Sequence, residues 1–546
     1  MPVQPTYPGV YIEELPSGVR TITGVATSIT GFLGKAVRGP ADQPVTITSF
    51  SDYERIFGGL HRDMTLSYAV RDFFLNGGGQ AVIVRLYKAT AGSAAKATYE
   101  VPNLTLQAAS EGAWGMQVRA RVEKKAVTDP NLIAVATRLG VAPADLFDLI
   151  VRDGGTGITE TFLNLTTKES ARRADRVLLA ESNLVRVTTT MPSNSSPTAH
   201  AGTSADADVW TSTTKSTPAK NAAPADIAVE SAVLDAAAYK GSQTGKTGLY
   251  QLEKIDLFNL LCILPDARGG DVPDDVYQEA LSYCVKRRAM LIVDPKAAWA
   301  TVGAAQSGAP GMNLNGDMAR NAAIYFPRIK QADSQLGGQV ETFVPCGVIA
   351  GVMARTDSQR GVWKAPAGLD ASLSGVAGLQ LDMTDAENGL LNPLGINCLR
   401  TFPVHGRVVW GSRTMRGADA AADEYKYVPV RRLALFLEES LYRGTQWVVF
   451  EPNDEPLWAQ IRLNLGAFMH NLFRQGAFQG TAPRDAYFVK CDKETTTQND
   501  INLGIVNIVV GFAPLKPAEC VIIKLQQMAV QIATSRLVEQ PGVGAG

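Results

Sequence analysis

The sequence lacks an excess of charge of either sign. Its 546 residues include 52 Lys and Arg against 53 Asp and Glu, which gives a formal net charge of -1. A dedicated nucleic-acid binder usually carries a large basic excess, so this balance argues against direct binding to nucleic acid. No uncharged apolar run reaches the roughly 18 residues that a membrane helix requires. We therefore expect no membrane insertion.

Cysteine and histidine are scarce and scattered. The chain has 6 Cys and 4 His, and no two cysteines are close enough in sequence to form a CxxC pair. No His has a second His or a Cys at a recognised metal-ligand spacing. The sequence therefore predicts no metal site and no cofactor. It also favours a reducing compartment, in which each thiol is a small buried hydrophobe.

The regular part of the chain has an α/β pattern. Apolar runs at residues 27–34, 81–87, 260–264 and 290–294 alternate with segments of helical periodicity. Alternating strands and helices, with strands that are apolar throughout, predict a doubly wound and largely parallel sheet. At about 150 residues per domain, the length favours three or four domains.

A stretch of different composition interrupts this pattern. Residues 89–246 are rich in Ala, Thr and Ser, and their short alternating segments predict a mostly β insertion domain. Within it, residues 188–225 form a nearly low-complexity sequence. Such a segment cannot bury much apolar area, so we expect an exposed, mobile loop there.

The last portion has a third character. An apolar helical face predicts a helix that ends at Gly444, and residues 447–450 read as a strand. Asn453 or Asp454 can cap a long helix that ends at Gly476. Three β-type runs follow, at residues 487–491, 505–512 and 520–525. A further short strand at residues 10–14 stands alone between prolines near the N-terminus, without a local hairpin partner.

Two motifs suggest enzymes. The run Gly245-Lys246-Thr247 resembles the end of a phosphate-binding loop, but such a loop needs four residues between its glycines and three separate Gly241 from Gly245. Ser204 lies in a run resembling the nucleophile turn of serine proteases, yet it falls in the low-complexity stretch, where a nucleophile lacks a rigid mount. An ATPase and a serine hydrolase remain the alternatives, while we predict no catalytic residues and no enzyme.

Several stretches together resemble contractile tail sheath proteins of phage tails and phage-tail-like contractile injection systems. They are YPGVYIEE, TSITGFLGKAVRGPADQPVTITSFSDYERIFGG and YAVRDFFLNGGGQAVIVRL near the start, SQRGVWKAPAG, NPLGINCLR and VVWGSRTM in the middle, and YVPVRRLALFLEESLYRGTQWVVFEPNDEPLW and PAECVIIKLQQ near the end. Both halves lie in one chain, which is more similar to phage tails and phage-derived injection systems than to type VI secretion, where two chains form the sheath.

The resemblance implies a multidomain α/β fold. Its body would be subtilisin-like without the catalytic triad, and an α+β C-terminal domain would face the inner tube. The expected divisions are an N-terminal arm (1–20), a conserved N-terminal part (21–88), the insertion domain (89–246), the subtilisin-like sheath domain (247–426), the tube-facing C-terminal domain (427–515), and a C-terminal arm and tail (516–546).

The resemblance also implies that both terminal arms cross to neighbouring subunits and add strands to a receiving sheet, which suits the isolated strands near each end. The arm strands would be Val10, Tyr11, Ile12, Glu13 and Glu14, and Cys520, Val521, Ile522, Ile523, Lys524 and Leu525. The receiving sheet would include Tyr487, Phe488, Val489, Ile505, Val506, Ile508 and Val510. The side chains expected to face the tube are Gln460, Arg462 and Arg474.

The implied function is that of a structural subunit. The chain would form a homo-oligomeric helical sheath around an inner tube protein, in an extended metastable state, and contract to drive the tube through a target envelope. Baseplate and terminator or cap proteins would be further partners. Assembly is expected in the bacterial cytoplasm, as part of a phage tail or phage-tail-like particle.

Overall fold

A computed structural model describes residues 20–90, 95–188, 195–220 and 231–525 of the chain. The first segment supplies two helices and the three strands at one end of the principal sheet. They are β1 (Thr30–Gly34), β2 (Val45–Ile47), α1 (Phe50–Phe57), α2 (Thr65–Leu75) and β3 (Ala81–Arg85).

An insertion of small sheets follows β3. It comprises β4 (Thr98–Val101), β5 (Leu104–Ala108), β6 (Val118–Glu123), α3 (Pro130–Leu139), β7 (Leu146–Asp153), β8 (Thr159–Thr166), α4 (Ala174–Glu181) and β9 (Val185–Val187). Its strands form two three-stranded antiparallel sheets, ordered β4-β5-β9 and β6-β7-β8. One apolar core lies between them and includes Tyr99, Leu106, Leu149 and Leu165.

The chain then returns to the principal sheet. The elements are α5 (Ala236–Lys240), β10 (Leu260–Ile263), α6 (Asp274–Lys286), β11 (Met290–Val293), α7 (Val302–Gly311), β12 (Ala322–Phe326), β13 (Ile329–Asp333), β14 (Gln339–Phe343), α8 (Cys346–Arg360), β15 (Gly378–Leu379), α9 (Asp385–Leu391), β16 (Ile396–Phe402) and β17 (Gly406–Val409). The strands predicted at 27–34, 81–87, 260–264 and 290–294 are thereby confirmed within a few residues.

The principal sheet has eight strands in the order β17-β16-β12-β11-β10-β1-β3-β2. The strands from β16 to β3 are parallel, and only the two edge strands run antiparallel to their neighbours. Every residue of β1, β10 and β11 is buried, as expected for parallel strands that helices cover on both faces.

Side chains along these strands alternate between two cores. Phe32, Cys262 and Ile292 face the core that α2 and α8 cover, whereas Leu33 and Leu261 face the core beneath α6 and α7. The molecule is therefore a mixed α/β fold with helices on both faces of the sheet. We call this unit, residues 20–90 and 231–426, the body.

Helices α2 and α8 approach each other closely through glycine. A Cβ placed on Gly347 would lie 2.3 Å from the carbonyl oxygen of Ala69, and one on Gly351 would lie 2.6 Å from that of Phe73. These distances are shorter than van der Waals contact, so only glycine fits at either position. This close approach explains why the buried first part of α8, residues 346–354, contains two glycines despite their low helix propensity.

The insertion begins and ends at one place on the body. The N–H of Lys88 donates to the hydroxyl of Ser231 (3.0 Å), and the N–H of Ala232 donates to the carbonyl of Lys88 (2.8 Å). The ammonium of Lys88 pairs with Asp235 at 2.6 Å. We call these four residues the neck.

Two buried arginines also join the insertion to the body. Arg38 pairs with Asp153 of β7 at 3.0 Å, with both side chains almost fully buried. Arg85 donates to carbonyls on both sides of the junction: Ala36 (3.0 Å), Gly39 (2.8 Å) and Glu111 (2.8 Å). The guanidinium groups thus satisfy backbone acceptors that would otherwise be buried without partners.

The prediction of a mobile loop over 188–225 is wrong for residues 195–220. This stretch packs on β6, where the guanidinium of Arg121 donates to the carbonyls of Ala201 (2.9 Å), Gly202 (2.6 Å) and Lys215 (2.6 Å). Val209 and Ala219 are buried with it. Hydrogen bonds from a buried cation hold the segment in place. The prediction failed because it considered only how much apolar area the segment could bury.

The last segment, residues 427–525, we call the C-terminal region. Its elements are α10 (Val428–Gly444), α11 (Glu455–Arg474), α12 (Pro483–Ala486), β18 (Tyr487–Lys490), α13 (Gln498–Asn502) and β19 (Val509–Phe512). The predicted cap of α11 is confirmed at Asp454, whose carboxylate accepts from the N–H of Leu457. The apolar stripe of α11, including Ile461, Leu465 and Phe468, forms the core of this region.

The strand predicted at residues 447–450 is wrong. A short 3-10 helix, Gln446–Val448, occupies its start, and Phe450 has a φ of 70° with a fully exposed side chain. The N–H of Glu451 donates to the carbonyl of Val448 at 3.2 Å, which closes a turn. The chain must reverse between α10 and α11 here, and that connection overrides the β propensity of two adjacent valines.

Candidate assembly interface

The two strands predicted for the receiving sheet pair with each other in a two-stranded unit. Strands β18 and β19 pair antiparallel, with Tyr487 opposite Phe512 and Val489 opposite Val510. Tyr487, Val489, Val510 and Phe512 pack against the core around α11, while Phe488 remains 49% exposed. The sheet is therefore amphipathic, with one face on the domain core and the other toward solvent.

The second strand is shorter than predicted. Ile505, Val506 and Ile508 precede β19, because the backbone before Val509 has other hydrogen-bond partners. The N–H of Ile505 donates to the carbonyl of Asp500 (2.8 Å), and the N–H of Asn507 donates to the hydroxyl of Thr496 (3.1 Å). Val506 and Ile508 still pack beside the core of the C-terminal region.

Both strands of this sheet have an open outer edge. Within the described part of the chain, β18 and β19 pair only with each other. Unpaired backbone N–H and C=O groups along an edge can accept a further strand. Each strand spans four residues, and such short edges limit unspecific pairing between molecules.

The predicted C-terminal arm strand is exposed and unpaired in the single chain. Val521, Ile522, Ile523 and Leu525 are 81%, 82%, 78% and 93% exposed. Residues 520–525 form no ladder with any described strand. The apolar pattern of residues 520–525 predicts a strand, and a strand requires partners for its backbone N–H and C=O groups. Within the described residues, the single chain does not provide these partners.

The predicted N-terminal arm strand, residues 10–14, lies outside the described residues. The described chain begins at Arg20, which is fixed to the C-terminal region: its N–H donates to Asn464 Oδ1 (3.0 Å), and its guanidinium lies 4.7 Å from the ring centre of Trp447. Arg20 is therefore attached to the C-terminal region beside α11.

The three predicted tube-facing residues have different environments. Gln460 and Arg474 are exposed on the outer face of α11, together with Leu463, which is 56% exposed. Arg462 instead forms an ion pair with Glu455 (2.6 Å) and donates to the carbonyl of Cys491. Arg462 thus connects α11 to the end of β18 within the subunit.

The loop that resembles a phosphate-binding loop has the wrong structural context. It follows a helix, α5, and it closes on itself: the N–H of Ser242 donates to the hydroxyl of Thr247 (2.9 Å), and the N–H of Lys246 donates to the carbonyl of Gln243 (3.2 Å). A phosphate-binding loop follows a buried strand and directs its N–H groups at the ligand.

His200 does not act as an activating base for Ser204 in this arrangement. Both ring nitrogens of His200 are engaged elsewhere, since Nδ1 accepts from the N–H of Val122 (3.0 Å) and Nε2 contacts the hydroxyl of Thr217 (2.9 Å). Burial, followed by the charge of Arg121, lowers the pKa of His200. Within the described residues, no group of three His, Cys, Asp or Glu side chains could hold a metal ion.

Two ion pairs of the C-terminal region escaped the sequence analysis. Arg413 binds Glu519 of the tail at 2.6 Å, and Arg432 of α10 binds Asp357 of α8 at 2.6 Å. The members of each pair are far apart in the chain. No spacing rule links such residues, so only the fold brings them together.

Comparison with known proteins identifies two domains. Residues 277–415 match the family model described as phage tail sheath protein central domain, and residues 421–527 match that described as phage tail sheath C-terminal domain. No helix in the described part of the chain has the length and hydropathy to cross a bilayer.

Individual relatives agree with these matches. The tail sheath protein of Vibrio phage KVP40 is 28% identical over 176 residues, covering 32% of this chain. The matched part of the present chain covers 24% of the length of that relative.

Solved structures extend the likeness to the fold. The sheath of an extracellular contractile injection system, PVC, in its contracted state has a TM-score of 0.56 at 22% identity, and the match covers 96% of this chain and 99% of that one. A sheath tail protein from Listeria innocua has a TM-score of 0.57 at 13% identity, covering 91% and 96%. The chain therefore contains, in consecutive order, two domains that match models of phage tail sheath proteins, and it shares its fold with solved sheath structures.

Proposed function

We propose that this chain is the structural subunit of a helical contractile sheath around an inner tube. It polymerises in an extended, metastable state and contracts to drive the tube through a target envelope. The observation that carries the proposal is the open two-stranded sheet β18-β19 beside an exposed apolar tail, in a chain with two sheath domains.

The terminal arms connect the subunits in this proposal. Residues 10–14 of one neighbour and 520–525 of another add to the outer edges of β18 and β19. Each added backbone hydrogen bond contributes about 0.5–1.5 kcal/mol, and burial of Val521 and Ile523 contributes more. A head-to-tail contact that does not close on itself generates a helical filament.

The inner tube lies against α11 in this assembly. Gln460 and Arg474 supply polar contacts on its exposed face, while the ion pair of Arg462 with Glu455 supports the helix from within the subunit. Arginine suits such a contact because its planar guanidinium pairs with carboxylates through two bonds.

Contraction requires no bond-breaking chemistry. The contracted lattice buries more surface than the extended one, so the extended sheath is a kinetically trapped state. The family and structural neighbours are sheath proteins, and the geometry around Lys246 and Ser204 lends no support to an ATPase or a hydrolase.

The remaining parts have supporting roles. The body is subtilisin-like without a catalytic triad. The divisions at 20, 88, 246, 426 and 515 delimit six parts: the N-terminal arm, the conserved N-terminal part, the insertion domain, the subtilisin-like sheath domain, the tube-facing C-terminal domain, and the C-terminal arm and tail. Baseplate and terminator or cap proteins bind the ends of the sheath, and the particle assembles in the bacterial cytoplasm before use.

Removal of residues 1–16 tests the proposal. The truncated chain should remain a folded monomer with an unchanged melting temperature, whereas electron microscopy should show tubes only for the full chain. Replacement of Ile12 by proline removes one backbone donor and should weaken assembly, while Ile12→Val retains that donor and serves as the matched control.

The competing arrangement places the arm strands in their own subunit. In that case the truncation would lower the melting temperature of the monomer and expose it to proteolysis, and the exchange of strands would be refuted. Failure of the full chain to form tubes with the inner tube present would refute the sheath function itself.

A further inference from the structure

The tail does not lie flat on the molecule after β19. The N–H of Ala513 still donates to the carbonyl of Ala486 (2.8 Å), but the following residues cross a cavity of about 740 Å³ between the tail and the body. Trp363, Lys364 and Trp410 line this cavity on the body side. The tail spans the gap and makes its strongest contact with the body at Glu519.

The contact at Glu519 is a bidentate ion pair. Arg413 Nε donates to Glu519 Oε1 (2.7 Å), and Nη2 donates to Oε2 (2.6 Å). The hydroxyl of Tyr427 also donates to Oε2 (3.2 Å). The Arg413 side chain is only 5% exposed and that of Glu519 is 21% exposed, so solvent screens this pair less than a surface pair.

Arg413 is itself fixed to the body. Its Nη1 donates to the carbonyl of Asn392 (2.9 Å) and to Asp419 (3.0 Å), and its backbone N–H donates to Asn397 Oδ1 (2.6 Å). The guanidinium is therefore oriented before Glu519 arrives. Parallel charge-assisted bonds to an oriented guanidinium define both position and direction.

The exposed strand begins immediately after this contact. Cys520 is exposed, and the apolar residues that follow are at least 78% exposed. The ion pair consequently does not cover the strand. It fixes the residue from which the strand departs.

We propose that Arg413, Tyr427 and Glu519 form a tail anchor, a set of positioning residues that directs residues 520–525 toward a second copy of this chain. The inference rests on the proposed exchange of strands and names residues that control it. Without the anchor, the tail is free after Pro514, which still pairs with Phe478, and a longer free segment samples more orientations before it meets the neighbour's sheet. Fixing the root of the strand removes part of that entropic cost before binding.

A spin label on Cys520 measures the anchor in the soluble chain. The other five cysteines, Cys262, Cys284, Cys346, Cys398 and Cys491, are buried, so the label reports the residue next to Glu519. Glu519→Gln preserves the shape of the side chain and removes its charge. Glu494→Gln is the matched control, because this exposed acid forms no ion pair with any described residue.

We expect the label to become more mobile in Glu519→Gln and to remain unchanged in Glu494→Gln. The melting temperature of the monomer should change little, since Arg413 keeps Asp419 and the carbonyl of Asn392 as partners. The protein concentration required for tube formation should rise about fivefold, the factor that corresponds to roughly 1 kcal/mol.

Equal label mobility in the two variants would overturn the anchor, and so would an unchanged concentration for tube formation in Glu519→Gln. The proposed function fails in a different way, if the unmodified chain forms no tubes at all. In that event the mobility measurement still decides whether Glu519 fixes the tail.

Discussion

Arg432 and Asp357 form a doubly hydrogen-bonded ion pair that joins the C-terminal region to the body. Arg432 Nη1 donates to Asp357 Oδ1 (2.8 Å) and Nη2 to Oδ2 (2.6 Å), with side chains 3% and 5% exposed. The hydroxyl of Thr27 donates to Asp357 Oδ2 (2.7 Å), and Arg432 also donates to the carbonyl of Thr27 (2.9 Å). Three segments distant in sequence, namely the stretch before β1, α8 and α10, meet at this pair.

Loss of one member of this pair should be costly. Asp357→Ala leaves the Arg432 guanidinium buried beside an empty site, and a buried charge without its partner typically costs about 3–5 kcal/mol. We expect a correspondingly lower free energy of unfolding in urea. The control is Asp370→Ala, because the side chain of Asp370 is 89% exposed, and it should change the free energy of unfolding by less than about 0.5 kcal/mol. Equal effects of the two substitutions would contradict the structural role of the pair.

Charge reversal on α11 should separate a contact with the tube from a structural contact. Arg474 is exposed, so Arg474→Glu should reduce co-sedimentation with the inner tube and leave the melting temperature unchanged. Arg462→Glu removes the bond to the Cys491 carbonyl and places an acid beside Glu455, so it should lower both. Undiminished co-sedimentation of Arg474→Glu would remove this residue from the tube-facing surface.

The segment 195–220 should depend on one guanidinium. Arg121→Leu removes the donor that the carbonyls of Ala201, Gly202 and Lys215 share, and each lost intramolecular hydrogen bond costs about 0.5–1.5 kcal/mol. Limited proteolysis should then cut this segment much faster than in the unmodified chain. Lys220→Ala, which breaks an ion pair whose members are 58% and 57% exposed, is the control. Equal cutting rates for the two variants would show that other contacts hold the segment.

Deletion of residues 188–225 should for the same reason damage the insertion. The deletion removes the acceptors of Arg121 and the buried side chains of Val209 and Ala219. We therefore expect a lower melting temperature of the monomer, in contrast to the harmless deletion that a mobile loop would allow. A melting temperature equal to that of the full chain would restore the loop interpretation.

The pH dependence of stability should contain a contribution from Asp294. Burial raises the pKa of Asp294 to about 7, against the opposing effects of the Cys346 contact and the Arg328 charge. Its Oδ1 accepts from the N–H of Cys346 at the start of α8 (2.9 Å), whereas Oδ2 receives no hydrogen bond from the described residues. The folded state thus keeps a proton that the unfolded state releases, and stability falls as pH rises from about 4 to about 7.

Asp294→Asn removes this titration. Relative to the unmodified chain, the variant should gain about 2–3 kcal/mol between pH 5 and pH 8, at about 1.4 kcal/mol per pH unit. Urea unfolding at the two pH values measures the difference. If the free energy of unfolding changed equally with pH in the two proteins, Asp294 would be ionised in the folded state at both pH values.

Local pattern was sufficient for the regular elements. The central strands are apolar throughout because helices cover both faces of their sheet, and that composition is visible in the sequence. Helix α11 was equally predictable, since Asp454 caps it and Ile461, Leu465 and Phe468 follow helical periodicity. The pairing of β18 with β19 was also anticipated, although the second strand starts at Val509.

The errors have a common physical cause. Residues 447–450 have high β propensity but connect two helices, and residues 195–220 look disordered but satisfy the donors of Arg121. In both cases a distant partner decides the local structure. The same holds for Arg413 with Glu519, whose pairing depends on the fold bringing a buried guanidinium to the tail.

The neck gives the chain a natural site for grafting. Because the N–H of Ala232 reaches the carbonyl of Lys88 at 2.8 Å, a foreign module inserted there needs only termini that lie close together, and it leaves the register of the principal sheet intact. Replacement of the insertion would remove Asp153, the partner of the buried Arg38. The grafted module would therefore have to supply another carboxylate to pair with Arg38. A module that supplies such a carboxylate could decorate every subunit of an assembled tube at a regular spacing, so the particle could serve as a display scaffold.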